Sequence, residues 1–384
     1  MGAPFMPGLL PNIDPQGLLE YSVVYTDRAL NHMSQSFQQV MRDISETLKK
    51  VYNAHSVVVV PGSGTFGMEA VARQFATNQK CLILRNGWFS FRWSQILEMG
   101  SIASEAQVLK ARPVEKSPTA PFVPPPVKEV IQAIREHRPN VVFAPHVETS
   151  SGMILPDDYI AAVGNAVAEV GGLFVLDCIA SGTIWVDMEK SGVDVLISAP
   201  QKGWSGSPGC ALVMLSKRAK TQLAQTTSTS FACDLRKWSD IMQAYENGGH
   251  AYHATMPTDA LRGFRDVMKQ AQEYGFEKLR HNQQELGDNI RHLLSSHGIK
   301  SVAAQGFGSP GVVVCYTDDP AIKSGRKFAE LGIQIAAGVP LKCNEPDDFQ
   351  TFRLGLFGLD KLQNLERTVE TFERALVELV GRPT

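Results

Sequence analysis

Up to about residue 257, short apolar runs without polar alternation are separated by stretches in which apolar residues return every three or four positions. The runs HSVVVV (55–60), CLILR (81–85), VVFAP (141–145), GGLFVLD (171–177) and DVLIS (194–198) predict strands buried on both faces. Phe37, Val40, Met41, Ile44, Leu48 and Val51 predict a long helix that begins after Ser34. Further helices are predicted to open near Thr65, over Val127 to His137, and around Tyr159 to Val170. Strand–helix alternation of this kind gives an α/β domain with a mostly parallel sheet flanked by helices. The pattern changes at about Thr258. A long helical region to about His297 precedes short strands (GVVVCY, IQIAAG, FRLGLFG) separated by helices near 320–331 and 360–379, a smaller α+β domain. The expected organisation is an N-terminal arm at 1–20, a large domain at 21–257 and a small C-terminal domain at 258–384. Residues 112–126, RPVEKSPTAPFVPPP, read as a proline-rich surface loop.

The polar residues that stand out sit just after strands, where open α/β sheets bind ligands. Lys202 follows VLIS and precedes a turn holding Gly203, Gly206 and Gly209. An amine partly stripped of water there has a lowered pKa and is the nucleophile that forms a Schiff base; a surface lysine is the plainer alternative. Asp177 ends the preceding strand. A lysine and a carboxylate from adjacent strand ends are the pair that pyridoxal 5'-phosphate (PLP) needs, one for its aldehyde and one for its pyridine nitrogen. The turn from Gly62 through Gly64 to Gly67 is a literal GxGxxG and can hold any phosphate on a helix N-terminus. A dinucleotide would also want an acidic residue about 20 positions on, and CLILRNGWF ends instead in Arg85 and Asn86. Phe89 can stack on a flat ring or simply pack in the core. The turn 148–152 offers hydroxyls to a ligand, although a plain turn is commoner. Arg353 lies in an apolar strand and requires a carboxylate, from the protein or from a substrate.

Composition narrows the class. With 384 residues, 43% hydrophobic and 20% charged, the chain can bury a large core. A net charge of −2 without basic runs argues against nucleic acid or an anionic membrane surface as partner. No targeting signal or membrane span is evident, and six cysteines without a CxxC pair favour reduced thiols in a cytoplasmic protein over disulfides or a metal site.

Taken together, LNHMSQSFQQVMRDI, GSGTFGMEA, NGWF, HVETSSG, the Asp177 strand, SAPQKGW, YHATMP and FRLGLFG resemble the class V, fold-type I PLP-dependent aminotransferases, most of all the alanine/serine–glyoxylate group. The resemblance runs from about Asn31 to Gly358. It implies transamination between a small amino acid and a 2-oxo acid such as glyoxylate or pyruvate, with Lys202 forming the Schiff base and moving the proton. It implies that Asp177 pairs with the pyridinium nitrogen, Phe89 stacks on the ring and Thr149 hydrogen-bonds at the ring face. Ser63, Gly64, Thr65 and Gln201 would hold the phosphate. Tyr252 and Thr255 would reach it from the neighbouring subunit of a homodimer, and Arg353 would bind the substrate carboxylate. Two segments depart from the family pattern: LLPNIDPQGLLEYS at 9–22 and GVPLKCNEPDDF at 338–349, both where, by the resemblance, relatives line the substrate pocket. Lys342 in the second would serve a 2-aminoethylphosphonate–pyruvate type. Cys343 invites a cysteine desulfurase or C–S lyase, against which Gln201 and Phe89 stand where desulfurases carry histidines. An NADP-dependent reductase and a cofactor-free binding protein are the remaining alternatives.

Overall fold

The computed structural model describes residues 13–15 and 17–381; the rest of the expected arm, and the last three residues, lie outside that range. Seven strands form the large sheet: β1 (Ser56–Pro61), β2 (Lys80–Arg85), β3 (Glu105–Lys110), β4 (Val141–Pro145), β5 (Leu173–Asp177), β6 (Val195–Ser198) and β7 (Cys210–Leu215). Their order is β1-β7-β6-β5-β4-β2-β3, and only β7 runs against the others. The strands β4, β5 and β6 are buried along their whole length, which is why their sequences lack alternation. Helix α1 (Gln35–Tyr52) buries Phe37, Val40, Met41, Ile44 and Leu48, and Ser34 Oγ accepts from Phe37 N at 3.1 Å. Helices α2 (Gly64–Phe75), α3 (Trp88–Met99), α4 (Val127–His137) and α5 (Asp157–Glu169) also follow strands or precede them in the expected alternation.

The helical region after residue 257 is two helices, α6 (Thr258–Tyr274) and α7 (Phe276–Ser296), parted by Gly275 at φ +102°. Leu261, Phe264 and Met268 belong to the first hydrophobic core, whereas Ala271, Leu279 and Leu286 belong to the second, so the two cores meet within α6. The small sheet has β8 (Val312–Tyr316), β9 (Ala336–Ala337) and β10 (Thr351–Gly355), with β10 central and all pairs antiparallel. Of IQIAAG only Ala336 and Ala337 pair, opposite Arg353 and Phe352, and a Cβ on the following Gly338 would lie 1.9 Å from Thr351 O. The proline-rich loop is not wholly superficial: Phe122 is 2% exposed and its N donates to Val302 O at 2.7 Å.

Candidate active site

The turn after β1 is shaped by steric demands at its glycines. Gly62 has φ +119°; a Cβ on Gly64 would lie 2.5 Å from Ile179 Cδ1, and one on Gly67 would lie 2.5 Å from Ala211 Cβ. Ser63 takes the N-cap position of α2 in an extended conformation, yet its side chain caps nothing, and the first turn carries no acidic residue. The N-terminus of α2 therefore offers N–H groups and a hydroxyl to an anion. It does not form a dinucleotide site. In that fold the second strand lies beside the first, whereas here β1 pairs only with β7 and β2 lies across the sheet. Arg85 is occupied as well, by Ser94 Oγ at 2.7 Å, Lys342 O at 3.3 Å and the Phe91 ring at 4.6 Å.

Asp177 closes β5 in register with Pro145 of β4 and Ile197 of β6. Its Oδ1 accepts from Ile179 N at 2.9 Å. Burial pushes the Asp177 carboxyl up to about 7; Glu148 adds to the rise, while the Ile179 hydrogen bond and the Arg92 charge oppose it. Four residues beyond β6, Lys202 sits in a turn closed by Ser205 N donating to Lys202 O at 3.0 Å and Gly206 N donating to Pro200 O at 2.8 Å. Gly203 is obligatory there, since a Cβ would lie 1.9 Å from Gly182 O. Burial lowers the pKa of the Lys202 amine, and the nearby Arg353 guanidinium lowers it further. Such an amine is a readier nucleophile than an exposed lysine.

Phe89 lies in the first turn of α3, and the residue that holds this turn was not singled out in the sequence. Glu148 is fully buried. Its Oε1 accepts from Phe89 N at 3.1 Å, Ser150 N at 3.1 Å and Ser150 Oγ at 2.7 Å; its Oε2 accepts from Ser90 N at 2.9 Å and Ser90 Oγ at 2.6 Å. A carboxylate so placed satisfies the open N–H groups of α3 and complements its dipole. Of the hydroxyls in the 148–152 turn, that of Ser150 is spent on Glu148 and on Trp88 N, and only Thr149 reaches the cleft. Arg353 projects from β10. Its Nε donates to Ala337 O at 2.8 Å, its Cζ lies 5.6 Å from the Phe89 ring centroid, and burial lowers its pKa. No protein carboxylate pairs with it among the described residues, so the ligand half of the expected alternative stays open.

These side chains line one cleft of about 400 Å³: Ser63, Gly64 and Thr65 from the start of α2 and its cap, Phe89 from α3, Thr149 and Asp177 from strand ends, Gln201 and Lys202 from the glycine-rich turn, and Arg353 from the small sheet. The sequence matches the family model "Aminotransferase class-V" over residues 16–338. The chain belongs to the class-V aminotransferase family. It is 24% identical over 364 residues to the alanine–glyoxylate aminotransferase of Rattus norvegicus, covering 91% of this chain and 82% of that protein. It is 26% identical over 352 residues to the 2-aminoethylphosphonate–pyruvate transaminase of Syntrophobacter fumaroxidans, covering 88% of each. The crystal structure of an alanine–glyoxylate aminotransferase from Nostoc sp. superposes with TM-score 0.76 at 22% identity, covering 92% of this chain and 89% of that one. The fold is that of the fold-type I aminotransferases.

Four residues singled out in the sequence lie elsewhere in this aminotransferase chain. Tyr252 and Thr255 are not in the Lys202 cleft; Tyr252 is 54% exposed, with its hydroxyl 3.3 Å from Thr255 Oγ1. Cys343 is buried, its thiol donates to Arg85 O at 3.3 Å, and burial pushes its pKa up to about 12. That thiol is buried outside the cleft, which removes the observation behind the desulfurase reading. Lys342 also lies outside the cleft, with Nζ 5.8 Å from the Trp88 ring centroid. Arg92, by contrast, lines the cleft and was not anticipated; its position three residues after Phe89 on a helix was the available signal. Among the described residues, no group of three or more metal-ligating side chains occurs, and no helix is long and apolar enough to cross a membrane.

Proposed function

We propose that this protein transfers an amino group between a small amino acid, of the alanine or serine type, and a small 2-oxo acid such as glyoxylate or pyruvate, using PLP. The observation that carries the reading is the meeting of Lys202, Asp177 and Arg353 in one cleft of a class-V chain. The donor set suits PLP: the Ser63 hydroxyl caps nothing, Gln201 Oε1 is buried without a partner, and the α2 N-terminus is free of acidic side chains. Ser63, Gly64, Thr65 and Gln201 would take the phosphate, Thr149 would hydrogen-bond at the ring face, and Lys202 would take the aldehyde. When bound, PLP supplies a carbonyl for an amine and a ring that accepts the electrons of a Cα–H bond.

The rest is the work of this chain's own groups. Asp177, drawn to its charged form by a cation beside it, holds a proton on the pyridine nitrogen. Lys202 Nζ, with a pKa lowered by burial, would take the proton from the substrate's Cα and deliver it to the carbon that carried the cofactor's aldehyde. Arg353, anchored through Nε to the backbone, presents its remaining donors to the substrate carboxylate and fixes the Cα–H direction. Phe89 would stack on the ring and exclude water. Ala336 and Gly355 flank Arg353, and a 400 Å³ cleft that also holds the cofactor leaves room for small substrates. Tyr252 and Thr255 complete the partner's phosphate site in a homodimer, in keeping with their exposure here. Six free cysteines accord with a reducing, cytoplasmic setting.

The test is a matrix of amino donors, including alanine, serine and 2-aminoethylphosphonate, against glyoxylate and pyruvate, with the new amino acid measured by chromatography. Alanine or serine with glyoxylate should give the highest kcat/KM. Turnover confined to 2-aminoethylphosphonate would replace this reading with the phosphonate one, and no turnover with any pair would overturn it.

A further inference from the structure

Three cationic side chains line the cleft, and the proposed function uses two of them. Lys202 goes to an aldehyde and Arg353 to a carboxylate, which leaves Arg92. It stands on α3 three residues after Phe89, so the two side chains share a helix face. Its Nη1 donates to Thr65 Oγ1 at 2.9 Å, and its Cζ lies 5.1 Å from the Phe89 ring centroid. Thr65 belongs to the first turn of α2, the same turn that presents its N–H groups and the uncommitted Ser63 hydroxyl. No carboxylate forms an ion pair or hydrogen bond with Arg92 among the described residues, although its charge is felt at Asp177.

We propose that Arg92 is the cation of the phosphate cup, binding the cofactor's phosphate beside the N-terminus of α2. The inference rests on the PLP reading above. A phosphate monoester carries about −1.5 to −2 charges at pH 7, and a helix N-terminus offers roughly half a positive charge. The remainder calls for a full cation, and a guanidinium gives it with a fork that matches two phosphate oxygens. Thr65 and the Phe89 ring hold that guanidinium in place before any ligand arrives, which limits the entropy lost on binding. Sequence position concealed the role, because Arg92 lies on a different helix from the glycine-rich turn it completes.

The experiment compares PLP with pyridoxal, which has the same ring and aldehyde but no phosphate, in titrations of cofactor-free protein. Arg92→Gln should weaken PLP by at least about tenfold while leaving pyridoxal within about twofold. Arg92→Lys keeps the charge without the fork and should recover part of the PLP affinity; it also serves if the glutamine variant folds poorly. Equal losses for PLP and pyridoxal would overturn the proposal, since Arg92 would then act through Phe89 or the fold. Undiminished PLP binding in both variants would overturn it too. A parent protein that bound neither compound would overturn the cofactor reading, and this one with it.

Discussion

Replacing Glu148 with glutamine isolates the residue that seats α3 against the cleft. The substitution keeps the size of the side chain but removes its charge and turns one acceptor oxygen into an NH2 group. In the parent, Oε1 takes three hydrogen bonds from Phe89 N, Ser150 N and Ser150 Oγ, and Oε2 takes two from Ser90 N and Ser90 Oγ. The least damaging arrangement of glutamine keeps the first set and points its NH2 at Ser90. There it meets the Ser90 N–H donor head-on. The Ser90 hydroxyl gives no relief, because it already accepts from Asn86 N at 2.9 Å and Gly87 N at 3.1 Å. Hydrogen bonds to a charged acceptor contribute about 1.5–3 kcal/mol each, and a carboxylate at a helix N-terminus about 0.3–1 kcal/mol more. Two lost bonds, offset in part by reorientation, give an expected destabilisation of about 2–4 kcal/mol. Urea unfolding followed by circular dichroism should show a lower midpoint at an unchanged slope. Because Phe89 and Arg92 ride on the same turn, PLP affinity should fall as well. Glu148→Gln within about 0.5 kcal/mol of the parent would refute the capping role, since that is the range of an ordinary surface substitution.

Arg353→Lys should keep the charge but lose the fork, lowering kcat/KM for alanine and glyoxylate by about 2–4 kcal/mol, while unchanged steady-state kinetics would place the carboxylate anchor elsewhere. The Asp177 carboxyl, raised by burial to about 7 from 3.8, stabilises the cofactor-free fold fully below pH 3.8, and this contribution is lost as pH rises through about 7. Asp177→Asn removes that loss, so its stability relative to the parent should improve from pH 4 to 8 by up to about 1.4 kcal/mol per pH unit, and a difference flat in pH contradicts the shift. Mixing inactive Lys202→Ala with a Tyr252/Thr255 double variant should restore activity through hybrid dimers with one intact site; a fully active monomer in ultracentrifugation rules this out.

The parts of this fold that were plain in the sequence are those governed by local periodicity. Helix α1 with its Ser34 cap, the buried strands, and Lys202 and Asp177 after strand ends all follow from spacing and residue type. The GxGxxG turn carried an ambiguity that no local pattern resolves, because its glycines answer to Ile179 and Ala211, and its meaning depends on which strand lies beside β1. Gly275 split one predicted helical region in two, because a positive φ is not visible in composition. Glu148 and Arg92 were missed for a common reason. Each acts on an element distant in sequence, Glu148 on α3 from 58 residues away and Arg92 on Thr65 from 27 residues away, so only the folded chain joins them. Cys343 and Lys342 were misleading in the opposite sense. Their place in the loop before Arg353 pointed toward the cleft, yet the loop turns them to Arg85 and Trp88.

The proposed role of Lys202 is to carry the cofactor in the cleft with Asp177 and Arg353. It is tested most directly by incubating the purified protein with PLP, reducing with borohydride, and mapping the modified peptide by mass spectrometry. One phosphopyridoxyl group per chain is expected, on Lys202, absent from Lys202→Ala and prevented when alanine or serine is added before the reductant. Modification of a different lysine, or none in a protein that still transaminates, would contradict it.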